Sequence, residues 1–382
     1  METRLDEDRI EALIANRFPG IRLHTVRIPA GLGDRRFYRL SLDASLSTRS
    51  DQAEIPETLI ARVEPKPVGR PAPKTPFTWQ SEPSIEPIRT LFEQAGLPVP
   101  RSYVHDSELG IDILEDVGSR TLANTHDEDQ RQRYLEASAL IPRIQALRDS
   151  SVPTPAFRRF MDVDLIRTKA AKLVHWSFPG LLGREATEQE RASIESGFNA
   201  ISELVFRASR KLSHRDFKAE NLLLKCSGMG AEPERLIMID VQGAFMAPPE
   251  YDLVCLVRDM QVELPEALVE EVREASLANL ATATAREESR ERFEALSVVR
   301  LAKDISHVVD AARSRGDTRR WHEIPNGLRL LDNAAHQLER TFPLARDLSF
   351  VIHALTQAAQ TADILSQQGA DTKLMSGGAS KE

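Results

Sequence analysis

The residues best able to do chemistry lie between His214 and Asp240. Leu212 to Leu224 reads Leu-Ser-His-Arg-Asp-Phe-Lys-Ala-Glu-Asn-Leu-Leu-Leu, a polar loop between an apolar helix and an apolar strand. It carries His214, Asp216 and Asn221. Leu236 to Gln242 reads Leu-Ile-Met-Ile-Asp-Val-Gln, a short apolar strand that delivers Asp240 at its end. Phosphoryl transfer asks for positioning and charge neutralisation more than for covalent chemistry. Asn221 and Asp240 offer an amide and a carboxylate oxygen to Mg2+, which takes oxygen ligands, often one or two carboxylates beside phosphates and water. Asp216 can face an incoming hydroxyl and accept its proton, with an ordinary carboxylate sufficing if the proton leaves late. His214 can brace the loop by hydrogen bonding to backbone or to a further carboxylate. The plainer alternative is a solvated loop with Asp216 and Asn221 as turn formers. An Ile-Asp strand end 24 residues after Asp216 argues against it.

The whole chain suits such a role. Its 382 residues suggest two or three lobes. A 41% hydrophobic and 28% charged composition is that of a globular protein with a real core. The net charge of −8, with no long basic run, gives a nucleic-acid partner little support. Cys226 and Cys255 form no Cys-x-x-Cys pair or disulfide framework. The charged first residues lack an apolar signal core, and no stretch reaches membrane-spanning length. A cytoplasmic enzyme with no membrane partner is the expectation.

Patterning predicts the elements that position these residues. Residues 5–18 read as an amphipathic helix. Gly31-Leu32-Gly33-Asp34 is a turn before an alternating strand at 36–42, and residues 58–63 form a second strand. Pro65, Pro67, Pro71, Pro73 and Pro76 exclude helix and central strand, leaving an extended loop or a flap. A helix follows from about Ser84, in which Pro87 is tolerated only within the first turn. Residues 111–115 read as a buried strand. Helical periodicity then covers 134–148, 161–176, 189–209, 265–283, 291–313, 325–340 and 348–366. The polar tail is predicted to be disordered. The expected fold class is α+β and bilobal: an N-lobe with a small antiparallel sheet (1–118), a larger, mostly helical C-lobe (119–366) and a tail (367–382).

His214-Arg215-Asp216 through Asn221, with Ile239-Asp240, resembles the catalytic and metal loops of the kinase-like superfamily. Asp240-Val241-Gln242 stands where protein kinases carry Asp-Phe-Gly, as in the aminoglycoside phosphotransferase and choline kinase branch. The run Ile239-Asp240-Val241-Gln242-Gly243-Ala244, then Pro248, Tyr251-Asp252-Leu253-Val254 and Leu256-Val257-Arg258-Asp259, is similar to bacterial sugar 1-kinases that phosphorylate N-acetylmuramate and N-acetylglucosamine in cell-wall recycling. Arg35-Arg36-Phe37-Tyr38-Arg39-Leu40 resembles their nucleotide-loop strand, and Leu114-Glu115-Asp116-Val117-Gly118 their hinge. Arg300, Lys303, Asp317 and Ile324-Pro325 match their C-terminal pattern. The resemblance runs from about 30 to 345, strong at the catalytic core and loose elsewhere. It implies a protein-kinase-like fold, ATP and Mg2+ as cofactors, Asp216 as base with His214 and Arg215 beside it, Asn221 and Asp240 as metal ligands, and Asp252 bracing the loop through His214 or Arg215. An acid favoured at a helix N-terminus is the plain alternative for Asp252.

The nucleotide side departs from that pattern. Gly31 and Gly33 suit either a phosphate loop or a hairpin turn. Arg62 stands where a strand lysine is usual; it is either a phosphate ligand or an exposed strand arginine. Glu86 or Glu82 is its candidate partner. In the hinge, Glu115 and Val117 offer backbone to the adenine edge, and Asp116 reads as surface charge. Acceptor candidates are Asp162, Asp164, His175, Trp176, Arg300 and Lys303, besides Asp252. Trp176 either stacks on a sugar or lies in the core, and His175 reads as structural. Arg300 and Lys303 either meet a carboxylate or phosphate or form a solvated basic face. A sugar kinase is the leading expectation. An aminoglycoside or amino-alcohol kinase, a nucleotide-binding pseudokinase or interaction protein, and a protein kinase are the alternatives.

Overall fold

The computed structural model describes residues 2–29, 35–43, 55–64, 83–125, 129–149, 154–225, 234–277 and 282–361. Gly31, Gly33, Glu82, Cys226, the five clustered prolines and the tail lie outside the described residues. The chain divides into two compact units, Met1–Arg120 with Leu223–Gln242, and Thr121–Leu222 with Gly243–Glu382. The segment Leu223–Gln242, assigned on sequence order to the helical lobe, thus clusters with the first unit.

In the first unit, helix α1 (Glu2–Arg17) precedes strands β1 (Arg22–Ile28), β2 (Arg36–Asp43) and β3 (Thr58–Val63). Helix α2 (Ile88–Gln94) then leads to β4 (Ser102–Asp106) and β5 (Ile111–Glu115). The strands make one antiparallel sheet in the order β1-β2-β3-β5-β4. Strict alternation in β2 buries Tyr38, Leu40 and Leu42. Those side chains, with Leu59, Ala61, Val63, Ile111 and Ile113, form a core against Ile10 and Ile14 of α1. The patterning missed β1 and β4. Both are edge strands, and neither contains a buried residue, so their hydrophobic signal is weak. Helix α2 begins after Pro87, four residues later than expected, because Pro87 caps it. Glu86 accepts from Thr90 N (3.0 Å) and Thr90 Oγ1 (2.7 Å) in that first turn.

The second unit is mostly helical. Helix α3 (Gln130–Gln145) is followed by α4 (Val163–Lys172), which runs through a π-helical turn (Leu173–Ser177) into α5 (Phe178–Leu182). The expected helix at 161–176 is therefore interrupted, and such turns often sit at functional positions. Helix α6 (Glu188–Phe206) opens with a capping box between Thr187 and Glu190. Strand β6 (Lys211–Ser213) leads into the polar loop; the segment after it, which clusters with the first unit, pairs β7 (Leu222–Lys225) with β8 (Arg235–Met238). Val117, Leu223 and Ile237 form a small core there. Strand β9 (Phe245–Ala247) pairs antiparallel with β6. Helices α7 (Tyr251–Val257), α8 (Glu266–Leu277), α9 (Ala283–Arg315), α10 (Ile324–Thr341) and α11 (Arg346–Thr361) complete the unit.

Helix α9 is its spine, with α4, the π turn, α7 and α10 packed along it. Gly180 lets α5 approach closely: a methyl group there would lie 2.0 Å from Val309 Cγ1 and 3.1 Å from Arg313 Cδ. Gly180→Ala therefore costs about 1–3 kcal/mol from overpacking. A urea titration reads this as a lower midpoint with unchanged slope. No described helix is long and apolar enough to cross a membrane.

Candidate active site

The polar loop leaves β6 at Ser213 and turns sharply, with Arg215 at a φ of +79°. A side-chain-bearing residue in that left-handed region costs about 1–2 kcal/mol, so something must hold it. Asp252, in the first turn of α7, does so. Its carboxylate accepts from Ser213 Oγ (2.6 Å), His214 N (2.8 Å) and Arg215 N (3.0 Å). Asp252 is 1% exposed. Burial pushes its carboxyl up against the opposing pull of His214, Ser213 and the two backbone amides. The Arg215 carbonyl accepts from Cys255 Sγ (3.4 Å) and Arg300 Nη1 (3.2 Å). Asp252 thus braces the loop and is enclosed there, with its carboxylate turned onto Ser213, His214 and Arg215. His214 does not brace through its ring. Both ring nitrogens are buried without hydrogen-bond partners, and the ring packs edge-on against Phe217 at 5.7 Å. Its contribution to the brace is its backbone amide.

Asp216 follows. Its side chain is 33% exposed, and Oδ1 faces Arg300 Nη2 at 2.7 Å and Lys303 Nζ at 3.9 Å. Burial alone would raise its carboxyl. Lys303, Arg300, Lys218 and Arg215 outweigh burial and hold it well below the usual carboxylate range. Arg300 is itself fixed by Asp304 (Nε to Oδ2, 2.6 Å), and Lys303 Nζ lies 3.1 Å from Asp304 Oδ1. Asn221 Nδ2 donates to the Asp216 carbonyl at 2.9 Å, which closes the loop on itself and leaves the Asn221 amide oxygen as the group a cation can use. The arrangement presents an ionised, half-open carboxylate inside a cationic frame. That carboxylate can accept a hydrogen bond from an alcohol.

In the first unit, Asp240 also has a left-handed backbone, with φ +63°. Its side chain is 36% exposed. Its Oδ1 accepts from Gln242 Nε2 and, at 3.4 Å, from Arg35 Nη1. No group of three His, Cys, Asp or Glu side chains among the described residues could hold a metal ion. The Asp240 carboxylate, like the Asn221 amide oxygen, is an oxygen donor of the kind Mg2+ takes beside waters and phosphate oxygens. The left-handed backbone at Arg215 and at Asp240 is the kind of strain found at functional positions.

The nucleotide candidates behave differently. Arg62 is 3% exposed, so the exposed-arginine reading is wrong. Its Nη1 donates to Asp112 at 2.7 Å and its Nη2 to Glu64. Asp112 is its direct neighbour across β3 and β5. Glu86 pairs with Arg89 rather than with Arg62. Glu64 also accepts from Arg35 Nε at 3.0 Å, so Arg35 links Glu64 to Asp240. Glu115 binds Lys225 and accepts from Arg101 N at 3.0 Å. Val117 is buried. Asp116 is not surface charge: its side chain is 5% exposed and holds Arg39 Nε at 2.7 Å.

Among the acceptor candidates, Arg300 is buried at 4% exposure, which excludes a solvated basic face, and Lys303 lies beside it. Trp176, on the π turn, is half-buried rather than a core residue. Lys172 Nζ sits 4.8 Å from its ring centroid, and His307 approaches it edge-on at 5.7 Å. His175 is exposed, against its structural reading. Asp162 caps α4 by accepting from Leu165 N at 2.8 Å, and Asp164 is exposed. Sequence reasoning passed over Lys218, two residues from Asp216, and Asp304, one helical turn from Arg300. Arg35, Lys169, Lys172 and His307 were also missed as site residues; of these, Lys169 and Lys172, three residues apart on one helix, and His307, four residues after Lys303, carried a spacing signal.

Residues 24–291 match the phosphotransferase enzyme family. The chain belongs to that family. This phosphotransferase is 26% identical over 184 residues to an N-acetylmuramate/N-acetylglucosamine kinase of Pseudomonas putida, a match covering 48% of this chain and 51% of that protein. The chain thus spans about half the length of that relative. Against an N-acetylmuramate/N-acetylglucosamine kinase of Neisseria meningitidis serogroup B it is 25% identical over 268 residues, covering 67% of this chain and 76% of that protein. The crystal structure of choline kinase LicA from Streptococcus pneumoniae superposes with a TM-score of 0.50 at 15% identity, covering 87% of this chain and 99% of that one. At that identity the likeness shows a shared kinase-like fold.

Proposed function

We propose that this phosphotransferase is an ATP- and Mg2+-dependent kinase that phosphorylates a hydroxyl of an amino sugar of the N-acetylmuramate or N-acetylglucosamine type. The observation that carries this reading is Asp216, half-open and kept ionised by Lys303, Arg300, Lys218 and Arg215 on a loop pinned by Asp252. The names of the curated relatives support the sugar class. A carboxylate this acidic is a weak base but a persistent hydrogen-bond acceptor. It orients the acceptor hydroxyl and takes the proton late, as a loose phosphoryl-transfer transition state requires. Asn221 and Asp240 would hold Mg2+, which, when bound, neutralises phosphate charge. Arg35, in contact with Asp240, is placed to orient that carboxylate. Lys218, paired with Glu220, adds to the positive charge that keeps Asp216 ionised.

The test is a panel of acceptors with ATP and Mg2+: N-acetylmuramate, N-acetylglucosamine, choline and an aminoglycoside. Turnover of the sugars supports the reading, and turnover of the amines alone overturns it.

Electrostatics add a second expectation. Removing Lys303, the strongest cationic influence on Asp216, lets that carboxyl rise. A depressed carboxylate stays ionised down to low pH, so Lys303→Met moves the acid limb of kcat/KM to higher pH. The pH-rate profile of the two proteins measures this, and coincident acid limbs would contradict it.

A further inference from the structure

The first unit carries an unbroken chain of charge that ends on Asp240. Register sets His105 on β4 and Arg62 on β3 on either side of Asp112 on β5, so the three side chains share one face of the sheet. His105 Nδ1 lies 2.6 Å from Asp112 Oδ1, and Arg62 Nη1 donates to Asp112 Oδ2 at 2.7 Å. Arg62 Nη2 donates to Glu64 Oε1. Arg36 stands opposite Val63, so Arg35 and Glu64 meet just past the ends of β2 and β3. Arg35 Nε donates to the same Glu64 Oε1 at 3.0 Å, and its Nη1 reaches Asp240 Oδ1 at 3.4 Å. Every link lies within Met1–Arg120 with Leu223–Gln242.

The chain extends further than the sheet requires. Arg62 and Asp112 are each 3% exposed and already pair across β3 and β5. A buried pair of this kind holds its geometry firmly, because parting it leaves an unpaired charge in the interior. Glu64 carries the pair outward. Its side chain is 33% exposed, and its backbone is tied by Glu64 N donating to the Gly110 carbonyl at 2.8 Å. Charge alternates along the run, with Asp112, Glu64 and Asp240 negative and Arg62 and Arg35 positive. The last link is the loosest. At 3.4 Å the Arg35 contact is longer than a tight charge-assisted bond, so it directs Asp240 without capturing it. Gln242 Nε2 donates to that same Oδ1. Both donors converge on one oxygen and fix the rotation of the carboxylate, and Oδ2 receives neither. A metal-ligating carboxylate gains affinity when its remaining hydrogen bonds hold it in the binding orientation.

We propose that Glu64 is a positioning residue for a cation bound at Asp240: it holds Arg35 onto Oδ1, the buried Arg62–Asp112 pair fixes Glu64, and Oδ2 is thereby left for Mg2+. This rests on the reading of Asp240 as a metal ligand and deepens it. The role of Arg62 is then to anchor Glu64, not to grip phosphate. Glu64 acts only through Arg35, so the two residues contribute one effect and not two.

Linkage between Mg2+ and ADP is the readout, since it requires no turnover. ADP affinity is measured by calorimetry in EDTA and across a Mg2+ titration, on wild type, Glu64→Gln, Arg35→Met, the double variant and Asp240→Asn. Glu64→Gln lowers the Mg2+ affinity of the ADP complex by about ten- to hundredfold, with ADP affinity in EDTA unchanged. Arg35→Met lowers it as much, and the double variant is no weaker than Arg35→Met alone. A merely structural role for Glu64 would move the urea midpoint and leave the Mg2+ dependence where it is, and that result overturns the proposal. An equal fall of ADP affinity in EDTA overturns it as well, since Glu64 then serves the nucleotide and not the cation. Additive losses in the double variant overturn it too, because Glu64 then acts apart from Arg35. Asp240→Asn separates the proposal from the reading beneath it. If Asp240→Asn abolishes the Mg2+ dependence and Glu64→Gln leaves it intact, the positioning role falls and the metal reading stands. If Asp240→Asn leaves the Mg2+ dependence intact, the metal reading falls and the positioning role falls with it.

Discussion

Asp216→Asn lowers kcat by about two to four orders of magnitude, the usual contribution of a positioned proton acceptor, while the protein stays folded and binds nucleotide with near-native affinity. The asparagine keeps the shape and can still face Arg300 and Lys303 through its oxygen, but it cannot take a proton. The loss falls in kcat rather than KM, because the missing interaction matures only in the transition state. Steady-state kinetics and a urea titration on the same sample separate this from misfolding. The surrounding cations favour charge at this position: a group whose folded pKa is depressed contributes stability above the unfolded carboxylate range, and that stability is lost as pH falls through the folded value. Asp216→Asn should therefore destabilise the wild-type fold at pH 7 and lose that difference in acid. A substitution that raised stability at neutral pH would mean the cationic frame is not what the geometry indicates.

Asp252→Ala has a different signature, in which stability and activity fall together. Removing this carboxylate strands the Ser213 hydroxyl and the amides of His214 and Arg215 inside the fold. Each buried donor left unpaired costs about 1–3 kcal/mol. Arg215 also loses the contact that offsets its left-handed backbone. The expected loss is on the order of 3 kcal/mol or more, with turnover close to that of Asp216→Asn. Asp252→Asn retains one acceptor oxygen and falls between wild type and the alanine variant. Chemical denaturation and kcat on the three proteins make the comparison. An alanine variant with native stability and native kcat would refute the bracing role.

The pinned loop was legible in the sequence because its parts are neighbours in it. His214, Asp216 and Asn221 share one stretch between apolar segments, and Asp240 ends an apolar strand. What lay beyond reach depends on distant pairing. The contact of Arg300 with the Arg215 carbonyl spans 85 residues. No local pattern shows that Arg300 turns inward onto Asp216 instead of outward to solvent. Arg62 posed the same difficulty: its partner Asp112 is opposite it only once β3 and β5 are in register. Edge strands β1 and β4 escaped detection because they bury too little to alternate clearly. His214 invited a hydrogen-bonding role by residue type, yet its ring serves packing and its amide serves the turn. The π turn that presents Trp176 cannot be read from a helical period, since the residues around it keep that period on either side.

The most direct measurement follows the phosphorus. Phosphorus NMR of ATP, Mg2+ and an amino-sugar acceptor, with wild type and Asp216→Asn run side by side, reports where the γ-phosphoryl group goes. Wild type should convert the γ-phosphate resonance into a sugar phosphate ester with one ADP formed per ester, and Asp216→Asn should leave it in ATP over the same interval. Ester formation at equal rates in the two proteins, or release of inorganic phosphate alone by wild type, would contradict a phosphotransferase that works through Asp216.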